Sequence, residues 1–367
     1  YVMAEQARRK TSAWHDAWDY WQEKLPQLPL APELPMVETP PETPHFTTFK
    51  STIGKTEWQA VKQRWQQQGV TPSAALLTLF AATLERWSRT TTFTLNLTFF
   101  NRQPIHPQIN QLIGDFTSVT LVDFNFSAPV TLQEQMQQTQ QRLWQNMAHS
   151  EMNGVEVIRE LGRLRGSQRQ PLMPVVFTSM LGMTLEGMTI DQAMSHLFGE
   201  PCYVFTQTPQ VWLDHQVMES NGELMFSWYC MDNVLEPGAA EAMFNDYCAI
   251  LQAVIAAPES LKTLASGIAG HIPRRRWPLN AQADYDLRDI EQATLEYPGI
   301  RQARAEITEQ GALTLDIVMA DDPSPSAAMP DEHELTQLAL PLPEQAQLDE
   351  LEATWRWLEA RALQGIA

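Results

Sequence analysis

The chain has 367 residues, 44% of them apolar, with 12 Trp and 14 Phe, and a formal net charge of −19. That composition belongs to a globular protein with a sizeable core, and so acidic a surface would repel a polyanion, which argues against nucleic-acid binding. The longest apolar stretches, such as 74–84, fall short of the roughly 18–20 residues a membrane span needs.

The charge is unevenly distributed. Residues 284–367 hold 18 acidic and 5 basic side chains, a net of −13, which leaves 26 acidic and 20 basic, a net of −6, for residues 1–283. Such a shift marks a boundary. Cys202, Cys230 and Cys248 are odd in number and lack ligand spacing, so neither a disulfide framework nor a zinc site is expected, and a reducing cytoplasm fits. The opening YVMAEQARRK has no apolar leader and no initiating Met, so the expectation is an internal part of a longer polypeptide.

In chain order, residues 4–24 predict a helix with Trp14, Trp18 and Trp21 along one packing stripe. The proline-rich LPQLPLAPELP that follows predicts an extended surface strap over 25–44. Helices are expected at 57–68 and from Pro72, where Thr71 supplies an N-cap and Leu77, Phe80, Leu84 and Trp87 form the buried face. The β-branched and aromatic runs 91–100 and 117–126 predict strands, and 131–149 and 153–164 helices. Further strands fall at 173–179 and 210–231, the latter a hairpin turning at Asn221-Gly222, before a helix at 238–255. Without strict strand–helix alternation, a mixed sheet layered with helices in an α/β or α+β lobe is expected. The tail predicts a linker at 266–283, a unit of one helix and one or two strands at 284–320, a flexible Pro/Ser/acid-rich connection at 321–344 and a last helix at 345–363.

General catalytic signatures are absent: there is no GxSxG, Walker loop, GxGxxG, HExxH or HHxxxDG. What stands out is the ordered set LPQLPLAPELP, TPSAALLTLFAATLERWS, LTFFNRQP, IGDFTSVTLV, PVVFTSMLG and QTPQVWLDHQV. Over residues 1–265 this set resembles the C-terminal half of heterocyclization domains in siderophore nonribosomal peptide synthetases, of the yersiniabactin and pyochelin type. PVVFTS and QTPQVWLD are its most specific pieces. The resemblance implies a chloramphenicol-acetyltransferase-like condensation-domain lobe that makes a peptide bond and closes a Cys, Ser or Thr into a thiazoline or oxazoline. It also implies that the DxxxxD motif lies in an N-terminal lobe outside this sequence. The implied partners are that lobe, upstream and downstream carrier proteins and neighbouring synthetase domains. No nucleotide, metal or other directly bound cofactor is implied, since the phosphopantetheine arms belong to the carriers. DYDLRDIEQATLEYPGIRQARAEI is similar to part of an adenylation C-terminal subdomain, but residues 284–367 contain no Lys to match that subdomain's catalytic one, so a scaffold remnant is expected, with a methyltransferase as one possible next domain.

The resemblance makes Thr178 and Asp214 the cyclodehydration pair, and the chemistry agrees. Attack on an amide carbonyl needs a base for the nucleophile's proton and an acid for the departing oxygen, roles a desolvated carboxylate can fill in turn. Trp212, Asp214 and Gln216 should share one strand face, with His215 turned the other way into core or surface. Gln207, Thr208, Gln210, Ser179, Asn101 and Trp212 are the candidate substrate-binding residues. Against these stand plainer roles: a strand Asp is usually solvated, QTP makes an ordinary turn, Asn101 and Asp115 suit loop structure, and a strand Thr often bonds only to backbone. Two other functions stay open: an ordinary condensation domain that stops at the amide, and a non-catalytic scaffold segment.

Overall fold

A computed structural model describes residues 1–37, 45–103, 105–127, 130–166, 171–185, 188–189, 192–193, 196, 199, 206–208, 210–257, 276–280, 283–286, 294, 300–307 and 313–319. These fall into two compact units divided at Gly270.

The first unit is built on a six-stranded mixed sheet. Its strands are β1 (Phe46–Ile53), β2 (Thr92–Phe100), β3 (Thr117–Asn125), β4 (Val175–Ser179), β7 (Leu213–Ser220) and β8 (Glu223–Met231), in the order β1-β8-β7-β4-β2-β3. The short pair β5 (Thr184–Leu185) and β6 (Met188–Thr189) stands apart from it. β4 runs parallel to both β2 and β7, while all other pairings in the large sheet are antiparallel. The helices are α1 (Val2–Arg8), α2 (Ser12–Lys24), α3 (Lys55–Gln67), α4 (Pro72–Trp87), α5 (Leu132–Ala148), α6 (Gly154–Arg165) and α7 (Ala239–Ala256). This is the mixed, helix-layered α/β architecture expected.

Two packing layers hold the sheet. On one face α4 is buried almost all round, with Ala74–Glu85 inaccessible, as a helix at the centre of a large core must be. Its Thr78 and Thr83 hydroxyls donate to the carbonyls of Ala74 and Leu79, so neither is left unpaired. Phe80 meets Phe177 of β4, His215 of β7, Trp228 of β8 and Tyr247 of α7, all with ring centroids within 6.4 Å. The other face is covered over β3, where Leu121 packs with Trp21 of α2 and Val157 and Leu161 of α6. Gly154 lets α6 come close: a Cβ there would lie 2.3 Å from the carbonyl oxygen of Val119.

Some local expectations hold and others meet a different outcome. The N-terminal helix is two helices, because Thr11 caps α2 by accepting from the Trp14 N–H. Trp21 is buried and Trp18 packs beside it, while Trp14 stacks on Trp18 at 5.4 Å. The strap begins with one 3-10 turn, Leu25–Gln27, with Pro26 in the first turn, where its missing N–H costs nothing. Leu28 and Leu34 are buried, and the strap is tied down by Thr94, whose N–H and hydroxyl donate to the carbonyls of Leu30 and Pro29. β1 was not anticipated. FTTFKSTI pairs along its whole length with β8 but is an edge strand of mixed polarity, so its apolar alternation is weak. The hairpin turns at Asn221 and Gly222, both at positive φ (51° and 84°), as a type I′ turn requires.

The second unit holds two antiparallel ribbons, β9 (Arg276–Asn280) with β10 (Ala283–Asp286), and β11 (Ile300–Ile307) with β12 (Leu313–Met319). β9 thus occupies part of the span read as linker, 266–283. The flexible connection at 321–344, the helix at 345–363 and, within the unit expected at 284–320, residues 287–293 and 295–299 lie outside the described residues. Among the described residues, no helix is long and apolar enough to cross a membrane.

Candidate active site

The chemistry-bearing residues converge where β2, β4 and β7 lie side by side. The parallel registers set Thr98 opposite Thr178, Val176 opposite Asp214 and Thr178 opposite Gln216. Successive strand residues alternate faces, so Thr98, Thr178, Asp214 and Gln216 all project on the face away from α4. Asp214 is 8% exposed. Its Oδ1 accepts from the Thr178 hydroxyl at 3.0 Å and its Oδ2 from the Gln216 amide at 2.6 Å. The Thr98 hydroxyl donates in turn to Thr178 Oγ1 at 3.0 Å. Across the β7–β8 pairing, Tyr229 is the direct partner of Asp214.

Burial pushes the Asp214 carboxyl above the usual carboxylate range, and the hydrogen bonds from Gln216 and Thr178 offset only part of that. The same burial, with the Asp214 charge nearby, raises the Tyr229 phenol, which therefore stays neutral. A carboxylate with a raised pKa, held by two donors and set among half-buried hydroxyls, is equipped to accept a proton and return it.

His215, one residue on, points the opposite way. It is fully buried among Phe80, Phe177, Trp228 and Tyr247, and desolvation drops its pKa to about 3. It is a core histidine, neutral at any physiological pH. Asp115 is a turn acid: its Oδ1 accepts from the Thr117 N–H at 2.8 Å, which holds its carboxyl below the ordinary range.

The remaining candidate residues are distributed differently. Ser179 follows Thr178 on the strand, so its side chain turns to the helix layer and shares a 2.7 Å hydrogen bond with Ser73 of α4. Asn101 closes the β2–β3 connection: its N–H donates to the Phe116 carbonyl and its Oδ1 accepts from Gln103. Gln207, Thr208 and Gln210 are exposed in the turn before β7, with Gln210 at a positive φ of 66° and the Val211 N–H returning to the Thr208 carbonyl. Trp212 is half-buried at the start of β7, its N–H bonded to the Pro174 carbonyl. The hydrogen bonds of Asp214 run instead to Thr178 and Gln216, and through Thr178 to Thr98; Thr98 and Gln216 are not among the site residues expected from the sequence. The signal for Thr98 was present: along TFTLNLTFF, polar Thr94, Asn96 and Thr98 alternate with Phe93, Leu95 and Leu97, which gives an internal strand one polar face. Among the described residues, no group of three or more His, Cys, Asp or Glu side chains is placed to hold a metal ion.

A mixed sheet layered with helices and carrying this half-buried polar face defines a lobe of the chloramphenicol-acetyltransferase-like, condensation-domain class. A family model described as the condensation domain matches residues 1–264, and the chain belongs to that family of nonribosomal peptide synthetase domains. It is 35% identical over 267 residues to pyochelin synthetase PchF of Pseudomonas aeruginosa, covering 71% of this chain and 14% of that protein. It is 37% identical over 228 residues to phenyloxazoline synthase MbtB of Mycobacterium tuberculosis, covering 62% of this chain and 16% of that one. Among solved structures it is similar to the EpoB cyclization-docking bidomain from Sorangium cellulosum, with a TM-score of 0.63 and 36% identity over 71% of this chain and 52% of that chain. The chain therefore spans a small part of the curated synthetases it matches and about half of the bidomain.

Proposed function

We propose that this chain is the C-terminal lobe of a heterocyclization domain, of the yersiniabactin and pyochelin type, in a siderophore synthetase that mixes polyketide and peptide modules. The observation that carries the reading is the buried Asp214 carboxylate held by the Thr178 hydroxyl. It is supported by the FTS and QTPQVWLD strings around these two residues, and by relatives whose names include a phenyloxazoline synthase and a cyclization bidomain.

In this reading the amine of a carrier-bound Cys, Ser or Thr attacks the donor thioester, forming the amide and releasing the donor carrier's thiol. The side-chain thiol or hydroxyl then adds to the new amide carbonyl, Asp214 taking the proton that the nucleophile loses. The carboxyl returns that proton to the carbonyl oxygen, giving a cyclic hydroxyl adduct; Asp214 then takes the hydrogen of the former amide nitrogen and passes it to the hydroxyl, which leaves as water as the C=N bond of the ring forms. A raised pKa suits a group that must serve as base and then as acid. In this reading Thr178 orients the carboxylate, and Gln207, Thr208 and Gln210, exposed in the turn before β7, bond the carrier-borne phosphopantetheine arm or the substrate amide.

The test is the intact mass of the acceptor carrier after reaction with loaded donor and acceptor carriers, using the native polypeptide. The wild type should yield a product one water lighter than the open amide, and Asp214→Ala should accumulate the open amide. Wild-type protein that stops at the amide would make this an ordinary condensation domain.

A further inference from the structure

We infer that Thr98 is a positioning residue for cyclodehydration, acting through Thr178. This rests on the function proposed above, but its structural core does not. An ionised carboxylate can only accept, so the hydroxyl of Thr178 must spend its single proton on Asp214 Oδ1. The 3.0 Å contact with Thr98 then has only one possible polarity: Thr98 donates and Thr178 accepts. The chain is directed, from β2 through β4 to β7, and its direction is imposed by the charge at its end.

Without the Thr98 donor, Thr178 could turn its hydroxyl to another staggered rotamer or to solvent, because it is only half-buried. The parallel register fixes the geometry that prevents this, since Thr98 and Thr178 are direct partners across β2 and β4. Val119 of β3 lies opposite Thr98 on the far side and is pressed by Gly154 of α6, so β2 is braced from its other neighbour. Gln216 holds the second carboxylate oxygen independently of this chain. Thr98 is therefore specific to the Oδ1 side, the side on which Thr178 stands.

Thr98→Val keeps the shape and the strand preference and removes only the hydroxyl, while Thr98→Ser keeps the hydroxyl. The first readout is the titration of the Asp214 carboxyl carbon by NMR in the 367-residue chain, assigned with Asp214→Asn. Among the described residues, the neighbouring titratable groups are Tyr229 on β8, neutral throughout the acid range, and Lys50 on β1, two strands away and exposed. β4 contributes no titratable side chain. Loss of an oriented donor removes stabilisation of the charged form, so Thr98→Val should move the Asp214 titration to higher pH and Thr98→Ser should restore it. Coincident titrations in wild type and Thr98→Val would overturn the inference.

The second readout is kinetic, in the native polypeptide with loaded carriers. Thr98→Val should slow ring closure by about tenfold, the effect of one hydrogen bond, while amide formation keeps its rate and Thr98→Ser restores closure. Equal slowing of both steps would mean a general structural role and would refute the positioning role. If wild type forms no ring, the proposed function fails, and the titration still decides whether Thr98 governs Asp214.

Discussion

Acidification should destabilise this lobe through one identifiable side chain. His215 titrates at about 3 in the fold because it is wholly desolvated, with only a long 3.5 Å contact from Nδ1 to the Ser227 carbonyl. In the unfolded chain it titrates near 6.5. As pH falls through 6.5, the unfolded state therefore binds a proton that the folded state refuses, and stability is lost at about 1.4 kcal/mol per pH unit until the folded pKa is reached. Between pH 7 and pH 5 that amounts to roughly 2 kcal/mol. His215→Leu removes the titration and puts an apolar side chain among Phe80, Phe177, Trp228 and Tyr247. Urea unfolding of both proteins at pH 7 and pH 5 isolates the effect, because every other ionisable group is common to them. The stability difference should shift by about 2 kcal/mol in favour of the variant at pH 5, or roughly 4–8 °C in melting temperature for a domain of this size. A difference that is the same at both pH values would show that His215 does not carry the unpaired, desolvated character that its surroundings give it.

Gly154→Ala should destabilise the first unit. A Cβ at that position would lie 2.3 Å from the Val119 carbonyl oxygen and 2.9 Å from its Cγ2, and overpacking against backbone costs about 1–3 kcal/mol, more than the helix propensity gained. Urea midpoints measure it, and an unchanged midpoint would contradict the close approach of α6 to β3. Asp214→Asn should be at least as stable as wild type at neutral pH. The folded pKa of Asp214 is raised by burial, so folding retains its proton to higher pH than the unfolded chain does, and wild-type stability falls as pH rises through that window. The variant lacks this loss, a flipped Gln216 amide can satisfy its Nδ2, and its advantage should vanish on acidification below the carboxyl pKa. Thermal melts across pH test this, and a variant less stable than wild type at pH 7 would refute it.

Local chemistry made much of the lobe legible in the sequence. Thr71-Pro72 marked the start of α4, Asn221-Gly222 the hairpin, and the alternation Asp214, His215, Gln216 the division between site and core. Other features depend on what lies beside them in space. β1 acquires its strand identity from full-length pairing with β8, which a mixed run of Thr, Lys and Ser does not announce. Ser179 is a substrate-binding candidate in the sequence, yet the two-residue period of a strand turns it away from Thr178 to the opposite layer, where it bonds Ser73. Gln216 reaches Asp214 along β7 itself, as the two-residue strand period allows, whereas Thr98 joins the network only because β4 runs parallel between β2 and β7, a register that no local pattern encodes.

The proposed role of Asp214 in ring closure can be isolated from amide formation. A chemically prepared open amide, carrier-bound and already condensed, would be given to wild-type polypeptide and to Asp214→Asn, with closure followed by loss of one water. Wild type should close the ring, and Asp214→Asn should leave the amide open while still forming new amide from loaded carriers. Ring closure at an undiminished rate in Asp214→Asn would contradict that role.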